Sequence, residues 1–207
     1  MPSFLLELNH KAPVVGLDEV GCGPWAGPVV AAAFTFLTHD IDPKILEQIK
    51  DSKKITPKAR SNLWDIFHKD QGHLWDFAIA EASVEEIDSL NIKKASMKAM
   101  GRAFADLHAR IPLSYALVDG VTRPDLTVPL TTVVKGDDTS YSIAAASIVA
   151  KVHRDRLMEE LDRAHPVYGW AKNAGYGTRA HQEALEKHGV TQWHRRSFKP
   201  IQALLRA

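Results

Sequence analysis

The chain has 207 residues, of which 45% are hydrophobic and 25% are charged, and its formal net charge at pH 7 is +1. These proportions are typical of a folded protein with a substantial core, and they exclude a disordered tail, a coiled coil and a collagen-like chain. Cys22 is the only cysteine, so a disulfide within the chain and a multi-cysteine zinc site are excluded, and a reducing cytoplasm is the expected location. No apolar run has the length of a membrane span and the first ten residues lack a signal-peptide pattern, so we expect no membrane association.

The small net charge hides an unequal distribution along the chain. Residues 1–150 carry 15 Lys and Arg against 19 Asp and Glu, whereas residues 151–207 carry 11 against 6. A basic C-terminal quarter favours contact with a polyanion there, while the acidic groups of the first part are free to hold cations. An unevenly charged solvated surface would show the same imbalance, so charge alone decides nothing.

Short apolar runs alternate with helical patterns along the chain. Five runs are predicted to be strands: Val14–Leu17, Val29–Phe36, Leu74–Ala80, Tyr115–Val118 and Thr131–Val134. The predicted helices are Ile45–Ile49, Lys58–His68, one that begins after Asn91, one that begins after Thr139 or Ser140, and Thr178–His188, which Gly189 ends. This order predicts an α/β fold, a mixed sheet flanked by helices. No strand pattern follows Ala164, so the C-terminal part is predicted to be a helical extension.

Acidic residues follow closely after three of the predicted strands. Asp18 and Glu19 follow the first strand, Asp119 the fourth, and Asp137 and Asp138 the fifth. Because sites in α/β sheets form at the carboxyl ends of strands, these groups are expected to meet. Carboxylates that share a pocket repel one another unless cations lie between them, and oxygen ligands suit Mg2+ or Mn2+. A pair of such ions is suited to phosphodiester hydrolysis. One such Asp would be an ordinary loop residue, but three successive cases favour a site.

Two glycines follow the first acidic pair. Gly21 and Gly23 allow main-chain N–H groups to approach a ligand closely. A dinucleotide-binding loop is a competing interpretation of Gly21, Gly23 and Gly27. It is disfavoured because the spacing differs from the usual fingerprint and Asp18 and Glu19 would repel a pyrophosphate.

Several segments together resemble the ribonuclease HII family, the type 2 ribonucleases H. The segments are 18–33 (DEVGCGPWAGPVVAAA), 51–54 (DSKK), Asn91 to Met100, 118–120 (VDG), 135–137 (KGD), 142–152 (SIAAASIVAKV), 154–156 (RDR), 175–176 (GY) and 194–198 (HRRSF). The resemblance covers about residues 14–200. It implies an RNase H-like fold with a five-stranded mixed sheet, a catalytic domain over residues 1–163, and a C-terminal helical region over residues 164–207 that completes the substrate cleft.

The resemblance also implies an activity. The family cuts the RNA strand of RNA/DNA hybrids and cuts 5′ to single ribonucleotides in duplex DNA, in ribonucleotide excision repair, leaving 3′-hydroxyl and 5′-phosphate ends. The implied catalytic and metal-binding carboxylates are Asp18, Glu19, Asp119 and Asp137, with Mg2+ or Mn2+, two ions when substrate is bound. Asp138 and Asp155 are rejected, the latter because it lies within the helical stretch and is expected to pair with a nearby Lys or Arg. We expect a monomer.

The resemblance implies substrate-binding roles as well. In the family the glycine-flanked turn, here Gly21, Cys22 and Gly23, presents backbone groups to the ribose, and the tyrosine at the position of Tyr176 packs on the adjacent deoxyribose. Lys53 is the first candidate for a phosphate contact, followed by Arg195 and Arg196, because basic side chains set affinity for nucleic acid. Each of these could also be a solvated surface charge.

Cys22 departs from the family pattern, which has arginine between the two glycines. The loss of that cation predicts weaker substrate binding or its replacement by a nearby Lys or Arg. Two other functions stay open: a related nuclease that acts on DNA, and a nucleic-acid-binding protein weakened by Cys22.

Three histidines invite a metal site. The spacings between His181, His188 and His194 match no zinc motif, so capping or surface roles are expected for them.

Overall fold

The computed structural model describes residues 1–11 and 13–206. Its strands are β1 (Val14–Val20), β2 (Val29–Phe36), β3 (Trp75–Ala82), β4 (Tyr115–Asp119) and β5 (Leu130–Val133). Its helices are α1 (Leu5–Leu8), α2 (Pro43–Leu46), α3 (Pro57–Lys69), α4 (Val84–Leu90), α5 (Ile92–His108), α6 (Tyr141–Ala164), α7 (Trp170–Asn173), α8 (Arg179–His188) and α9 (Lys199–Arg206), with short 3-10 turns at Gly136–Asp138 and Pro166–Tyr168.

The five strands form one mixed sheet in the order β3-β2-β1-β4-β5. The three strands β1 to β3 are antiparallel neighbours, whereas β1, β4 and β5 run parallel. The parallel set brings the carboxyl ends of β1, β4 and β5 to one edge, which is where the sequence places its acidic residues. The predicted five-stranded mixed sheet is therefore confirmed.

Helices cover both faces of the sheet. Helix α5 contributes Ala95, Ala99, Met100, Ala103 and Leu107 to the core on one face, and α6 contributes Ala144 to Ala146 and Ile148 to Ala150 to the core on the other. Alternate residues of β2 belong to the two cores, so this strand is buried throughout. Gly16 lets α6 approach β1 closely, because a Cβ at this position would lie 2.1 Å from the backbone carbon of Ser142.

The helix starts follow the capping rules that the sequence suggests. Asn91 accepts hydrogen bonds from the N–H groups of Lys93 and Lys94, and Ser140 accepts one from that of Ile143. The side chain of Thr178 caps α8, and Gly189 follows that helix with φ of 78°. The predicted starts of these helices are confirmed.

Three differences from the predicted elements are informative. β1 continues to Val20 and β3 runs from Trp75 to Ala82, because pairing with β2 extends both strands beyond their apolar cores. Helix α4 was not predicted; seven residues are too few for a period, although Ser83 and Glu86 form a capping box.

Beyond α6, the described residues form only helices, turns and loops. Buried residues of this part, among them Tyr168, Trp170 and Leu185, pack with Ala26 and Met158 in a core of their own. The last residue of the predicted C-terminal region 164–207, Ala207, lies outside the described residues. No described helix is both long and apolar enough to cross a membrane.

Candidate active site

The predicted acidic residues lie at the edge where the parallel strands end. Asp18 and Glu19 come directly before Val20, the last residue of β1, and Asp119 is the last residue of β4. Asp137 lies in the 3-10 turn that follows β5. The N–H of Gly136 donates to Asp119 Oδ1 at 2.7 Å, which ties the turn that carries Asp137 to the end of β4.

Asp18 and Glu19 line one cavity of about 230 Å3. Adjacent residues of a regular strand point to opposite faces, so two neighbouring side chains reach one site most readily where the strand ends. The strand in fact continues to Val20, and both side chains still border the cavity at its end. The other lining residues are Val20, Ser52, Lys53, Ser147, Lys151, Arg154 and Tyr176.

The carboxylates perturb one another. Burial raises the pKa of Asp18 well above its usual value, and the charges of Glu19 and Asp119 raise it further. Burial also raises the pKa of Glu19, with a smaller contribution from Asp119. For Asp137, burial raises the pKa first, followed by the charges of Asp51 and Asp119. The charge of Asp119 therefore raises the pKa of all three other carboxylates, and that of Asp51 also raises the pKa of Asp137.

This donor set fits a hard divalent cation. None of the four carboxylates forms a salt bridge within 4.0 Å among residues 1–11 and 13–206. Partly buried carboxylates that lack cationic partners and repel one another gain from a bound cation. Within the same residues, no three His, Cys, Asp or Glu side chains lie close enough together to hold a metal ion as they stand.

The two rejected aspartates have other partners. Asp138 accepts a hydrogen bond from Lys54 Nζ at 2.5 Å. Asp155 accepts one from Lys151 Nζ at 2.5 Å and lies 3.6 Å from Arg60 Nη2. The expectation that Asp155 pairs with nearby basic residues is confirmed.

Two buried arginines donate hydrogen bonds to carbonyl groups of the segment 21–28, and one of them, Arg195, bonds the Gly21–Gly23 turn itself. Arg195 donates to the carbonyl oxygens of Gly21 at 2.6 Å, Gly27 at 2.9 Å and Cys22 at 3.1 Å. Arg154 donates to the carbonyl oxygens of Pro28 and Ala26, both at 3.1 Å, and to that of Ala174 at 3.0 Å. Burial lowers the pKa of Arg195 to about 9 and that of Arg154 to about 10. Both pKa values stay above 7, so the two guanidiniums are protonated at neutral pH and donate hydrogen bonds to backbone carbonyl groups.

These bonds orient the peptide groups of the turn. In a trans peptide the C=O and N–H groups point in opposite directions. Since the carbonyls of Gly21 and Cys22 face Arg195, the N–H groups of Cys22 and Gly23 face away from it, and neither donates to a protein acceptor among the described residues. Gly21 has φ of 94°, and a Cβ there would lie 2.2 Å from Arg154 Nε, so the turn requires glycine.

Cys22 turns its side chain toward the protein. Its thiol is 3.5 Å from Glu19 Oε1 and packs against the core beneath helix α5. Burial, with Glu19 nearby, raises the pKa of Cys22 to about 12. The thiol is thus protonated at neutral pH, as expected for a residue without a nucleophilic role.

The structure separates the remaining predicted substrate contacts into three groups. Tyr176 is 51% exposed, and its ring lies beside Gly23, where a Cβ would be 3.2 Å from Cε1. Lys53 and Arg196 are exposed, and the charge of Lys53 lowers the pKa of Glu19 and of Asp137. Arg195 is fully buried, so the predicted phosphate contact is not available to it in this structure.

Two of the three histidines also differ from expectation. His181 and His194 are fully buried and their Nε2 atoms are 3.1 Å apart, so neither caps a helix nor lies on the surface. His188 is exposed in the last turn of α8, as expected.

Sequence reasoning missed two contributors to the site. Arg154 continues the buried face of α6 that Ala150 and Met158 occupy at intervals of four residues, and an arginine on an apolar face is the signal that could have identified it. Ser147 forms a hydrogen bond that lowers the pKa of Asp18, and its Oγ is 2.9 Å from that of Ser52. No sequence spacing indicated that contact.

Comparisons with known proteins agree with this geometry. The model of the family "Ribonuclease HII" matches residues 15–201. A ribonuclease HII of Wolbachia pipientis subsp. Culex pipiens is 48% identical over 203 residues, which are 98% of each chain. The ribonuclease H2 structure from Pyrococcus horikoshii superposes with a TM-score of 0.79 at 24% identity, covering 93% of this chain and 97% of that one. The structure of Bst-RNase HIII in complex with Mn2+ gives 0.78 at 19% identity, covering 100% and 73%.

The sheet order, the flanking helices and the acidic strand ends define an RNase H-like fold. The chain belongs to the ribonuclease HII family and is thus an endonuclease of the ribonuclease H type.

Proposed function

We propose that this protein is a metal-dependent endoribonuclease that cleaves the RNA strand of RNA/DNA hybrids and cuts duplex DNA on the 5′ side of a single ribonucleotide. Its products would carry 3′-hydroxyl and 5′-phosphate ends, and its role would be ribonucleotide excision repair in the cytoplasm. The observation that carries the proposal is that Asp18, Glu19 and Tyr176 line one cavity and that the ring of Tyr176 lies beside Gly23 of the glycine turn.

Asp18, Glu19, Asp119 and Asp137 would hold Mg2+ or Mn2+, two ions when substrate is bound. Their oxygen donors suit hard cations, and bound cations are favourable because these carboxylates repel one another and form no salt bridge among the described residues. When bound, such ions activate a water molecule and stabilise the leaving oxygen of a phosphodiester.

The residues beside the carboxylates would select the ribonucleotide. A 2′-hydroxyl is the group that separates a ribonucleotide from its deoxy neighbours. The N–H groups of Cys22 and Gly23 face away from Arg195 and are free to donate to a ribose hydroxyl or a phosphate. The exposed ring of Tyr176 would pack on the adjacent sugar from the other side of Gly23.

Basic side chains would position the backbone of the substrate. Lys53 borders the cavity that holds Asp18 and Glu19, and Arg196 is exposed next to buried Arg195. Contacts of this kind set affinity without reading sequence and weaken as salt increases. We propose that a monomer performs the whole reaction, since the proposed groups all lie on one chain.

The test is the cleavage of three short labelled duplexes of the same sequence: DNA with one ribonucleotide, an RNA/DNA hybrid, and all-DNA. Each is incubated with Mg2+, with Mn2+ and with a chelator, and the Asp18→Asn variant purified in parallel controls for contaminating nuclease. We expect metal-dependent cutting 5′ to the ribonucleotide and within the hybrid, and none in all-DNA. Equal cutting of all-DNA would identify a DNA nuclease instead. Binding of the duplexes without cutting by any metal would identify a nucleic-acid-binding protein.

A further inference from the structure

A buried pair of histidines lies directly behind Tyr176. His181, on α8, and His194, in the segment before Arg195, are both fully buried, and their Nε2 atoms are 3.1 Å apart. The rings of Tyr168 and Trp170 enclose them. The proposed cleavage reaction uses neither histidine, so the pair needs a separate explanation.

The hydrogen bonds around the pair fix where each ring carries its proton. The backbone N–H of Thr191 donates to His194 Nδ1 at 3.0 Å, so this nitrogen is an acceptor. A neutral His194 then carries its hydrogen on Nε2 and donates it to His181 Nε2. Burial lowers the pKa of both rings, to about 4 for His194, which keeps them neutral at pH 7.

His181 carries its hydrogen on the ring nitrogen that faces Tyr176. His181 Nε2 also accepts from Trp170 Nε1 at 3.2 Å, so the hydrogen of His181 lies on Nδ1. Nδ1 is 2.9 Å from the carbonyl oxygen of Tyr176, to which it donates. The chain of donors therefore runs from Thr191 through His194 and His181 to the backbone of Tyr176.

The backbone of Tyr176 is fixed on both sides, while its ring is not. Its carbonyl oxygen accepts from His181 and from the N–H of Thr178 at 2.8 Å, and its N–H donates to the carbonyl oxygen of Asn173 at 2.9 Å. The ring is 51% exposed, and the hydroxyl forms no hydrogen bond among the described residues. Among the described residues, the hydrogen bonds that hold Tyr176 are therefore those of its backbone, from which the ring extends to Gly23.

We propose that His181, held in one tautomer by His194 and Trp170, is a positioning residue that fixes the backbone of Tyr176 and so aims its ring at the substrate beside Gly23. The inference rests on the proposed function, because it gives Tyr176 a substrate to contact. It assigns to the pair a part in recognition at the ribonucleotide junction, and none in the chemical step.

Two substitutions of His181 separate positioning from packing. His181→Asn places an amide N–H near the position of Nδ1 and retains the bond to Tyr176, whereas His181→Gln places its amide near Nε2 and loses that bond. Both bury a neutral amide of similar size. We expect His181→Gln to raise KM for the single-ribonucleotide duplex about tenfold over His181→Asn, with kcat within about threefold, because one positioning hydrogen bond is lost.

The same comparison is repeated in a Tyr176→Ala background. If His181 acts through Tyr176, the difference in KM between the Asn and Gln variants disappears there. Equal KM values for the two variants, or an undiminished difference without Tyr176, would overturn the proposal. Cleavage by the unsubstituted protein is measured first; its failure would count against the proposed function and not against the histidine pair.

A measurement on the unsubstituted protein covers the case in which a variant does not fold. Long-range 1H–15N NMR spectra report which nitrogen of each ring is protonated. We expect the Nδ1–H tautomer for His181 and the Nε2–H tautomer for His194 at pH 7. An Nε2–H tautomer at His181 would refute the proposed donor chain.

Discussion

Arg195 Nη2 donates to the carbonyl oxygen of Gly21 at 2.6 Å from a side chain that solvent does not reach. The same guanidinium serves the carbonyl oxygens of Cys22, Gly27 and Pro28. It therefore fixes both ends of the loop that joins β1 to β2. The N–H groups proposed to read the ribose owe their direction to this buried guanidinium.

Arg195→Lys should therefore be a severe substitution. Lysine keeps the charge but lacks the planar fork, so it leaves several buried carbonyl groups without donors. We expect the free energy of unfolding to fall by about 2–4 kcal/mol, and cleavage to fall further than stability explains, because the turn loses its orientation. Urea denaturation and cleavage at limiting substrate check this.

Arg196→Lys is the matched control for Arg195→Lys. The side chain of Arg196 is exposed one position away, and its charge is kept. Its effect on stability should stay within about 0.5 kcal/mol. Comparable losses in the two variants would contradict the role assigned to Arg195.

Asp18→Asn should stabilise the metal-free protein while it abolishes cleavage. Burial and the charges of Glu19 and Asp119 raise the pKa of Asp18, so the folded state holds this proton more tightly than the unfolded state. Without metal, the contribution of Asp18 to stability therefore falls as pH rises above its unfolded pKa of about 4. Removing the charge should raise Tm at pH 7, by about 2–4 °C for each kcal/mol gained.

The metal response of the same variant gives a second readout. Mn2+ should raise the Tm of the unsubstituted protein and raise that of Asp18→Asn much less, because a ligand is lost. Asp138→Asn serves as the control: Asp138 is paired with Lys54, and its pKa is lowered chiefly by that hydrogen bond. It should show no gain in metal-free stability and an unchanged response to Mn2+. A lower metal-free Tm for Asp18→Asn would contradict the predicted repulsion.

The fold could be predicted from local patterns because its elements are locally encoded. All five strands were apolar runs that ended at Gly, Pro or charge, and the caps Asn91, Ser140 and Thr178 have side chains that compete well for helix N–H groups. Helix α4 could not be predicted, because a helix of seven residues is too short to show a hydrophobic period. The predicted β1 and β3 stopped too early because pairing with β2, and not the local sequence, extends these strands.

The candidate site likewise has residues that the sequence could locate and residues that it could not. Carboxylates at strand ends carry their location in the sequence, since parallel strands end at one edge. Arg154 and Arg195 donate to carbonyl groups as far as 128 and 174 residues away in the chain, and no local pattern shows which carbonyl groups a buried arginine reaches. The pairing of His181 with His194 depends on how the C-terminal helices pack, so the sequence suggested surface roles.

The buried histidines should make stability fall in mild acid. Burial lowers the pKa of His194 to about 4 in the folded state, against about 6.5 when unfolded, so the unfolded state binds more protons between these values. Stability from this group is complete above pH 6.5 and decreases as pH falls toward 4. We expect a loss of about 2 kcal/mol between pH 7 and pH 5.

Urea denaturation at these two pH values checks the loss, with His194→Asn as the test variant. Asparagine keeps an acceptor for Thr191 and cannot titrate, so the pH dependence should shrink. Exposed His188→Asn should leave it unchanged. An equal slope in all three proteins would show that other groups cause the acid sensitivity.

Cys22→Arg should strengthen substrate binding. The thiol lies against Glu19 and the core, and a longer side chain has to leave that position for the surface beside exposed Gly23. A guanidinium there can form a charge-assisted hydrogen bond to phosphate, worth about 1.5–3 kcal/mol. We expect higher cleavage at limiting substrate, and a slope of log affinity against log salt that is steeper by about one. Cys22→Ser removes the thiol without adding a cation and should change neither quantity. If Cys22→Arg matches Cys22→Ser in both, another basic residue already supplies the contact.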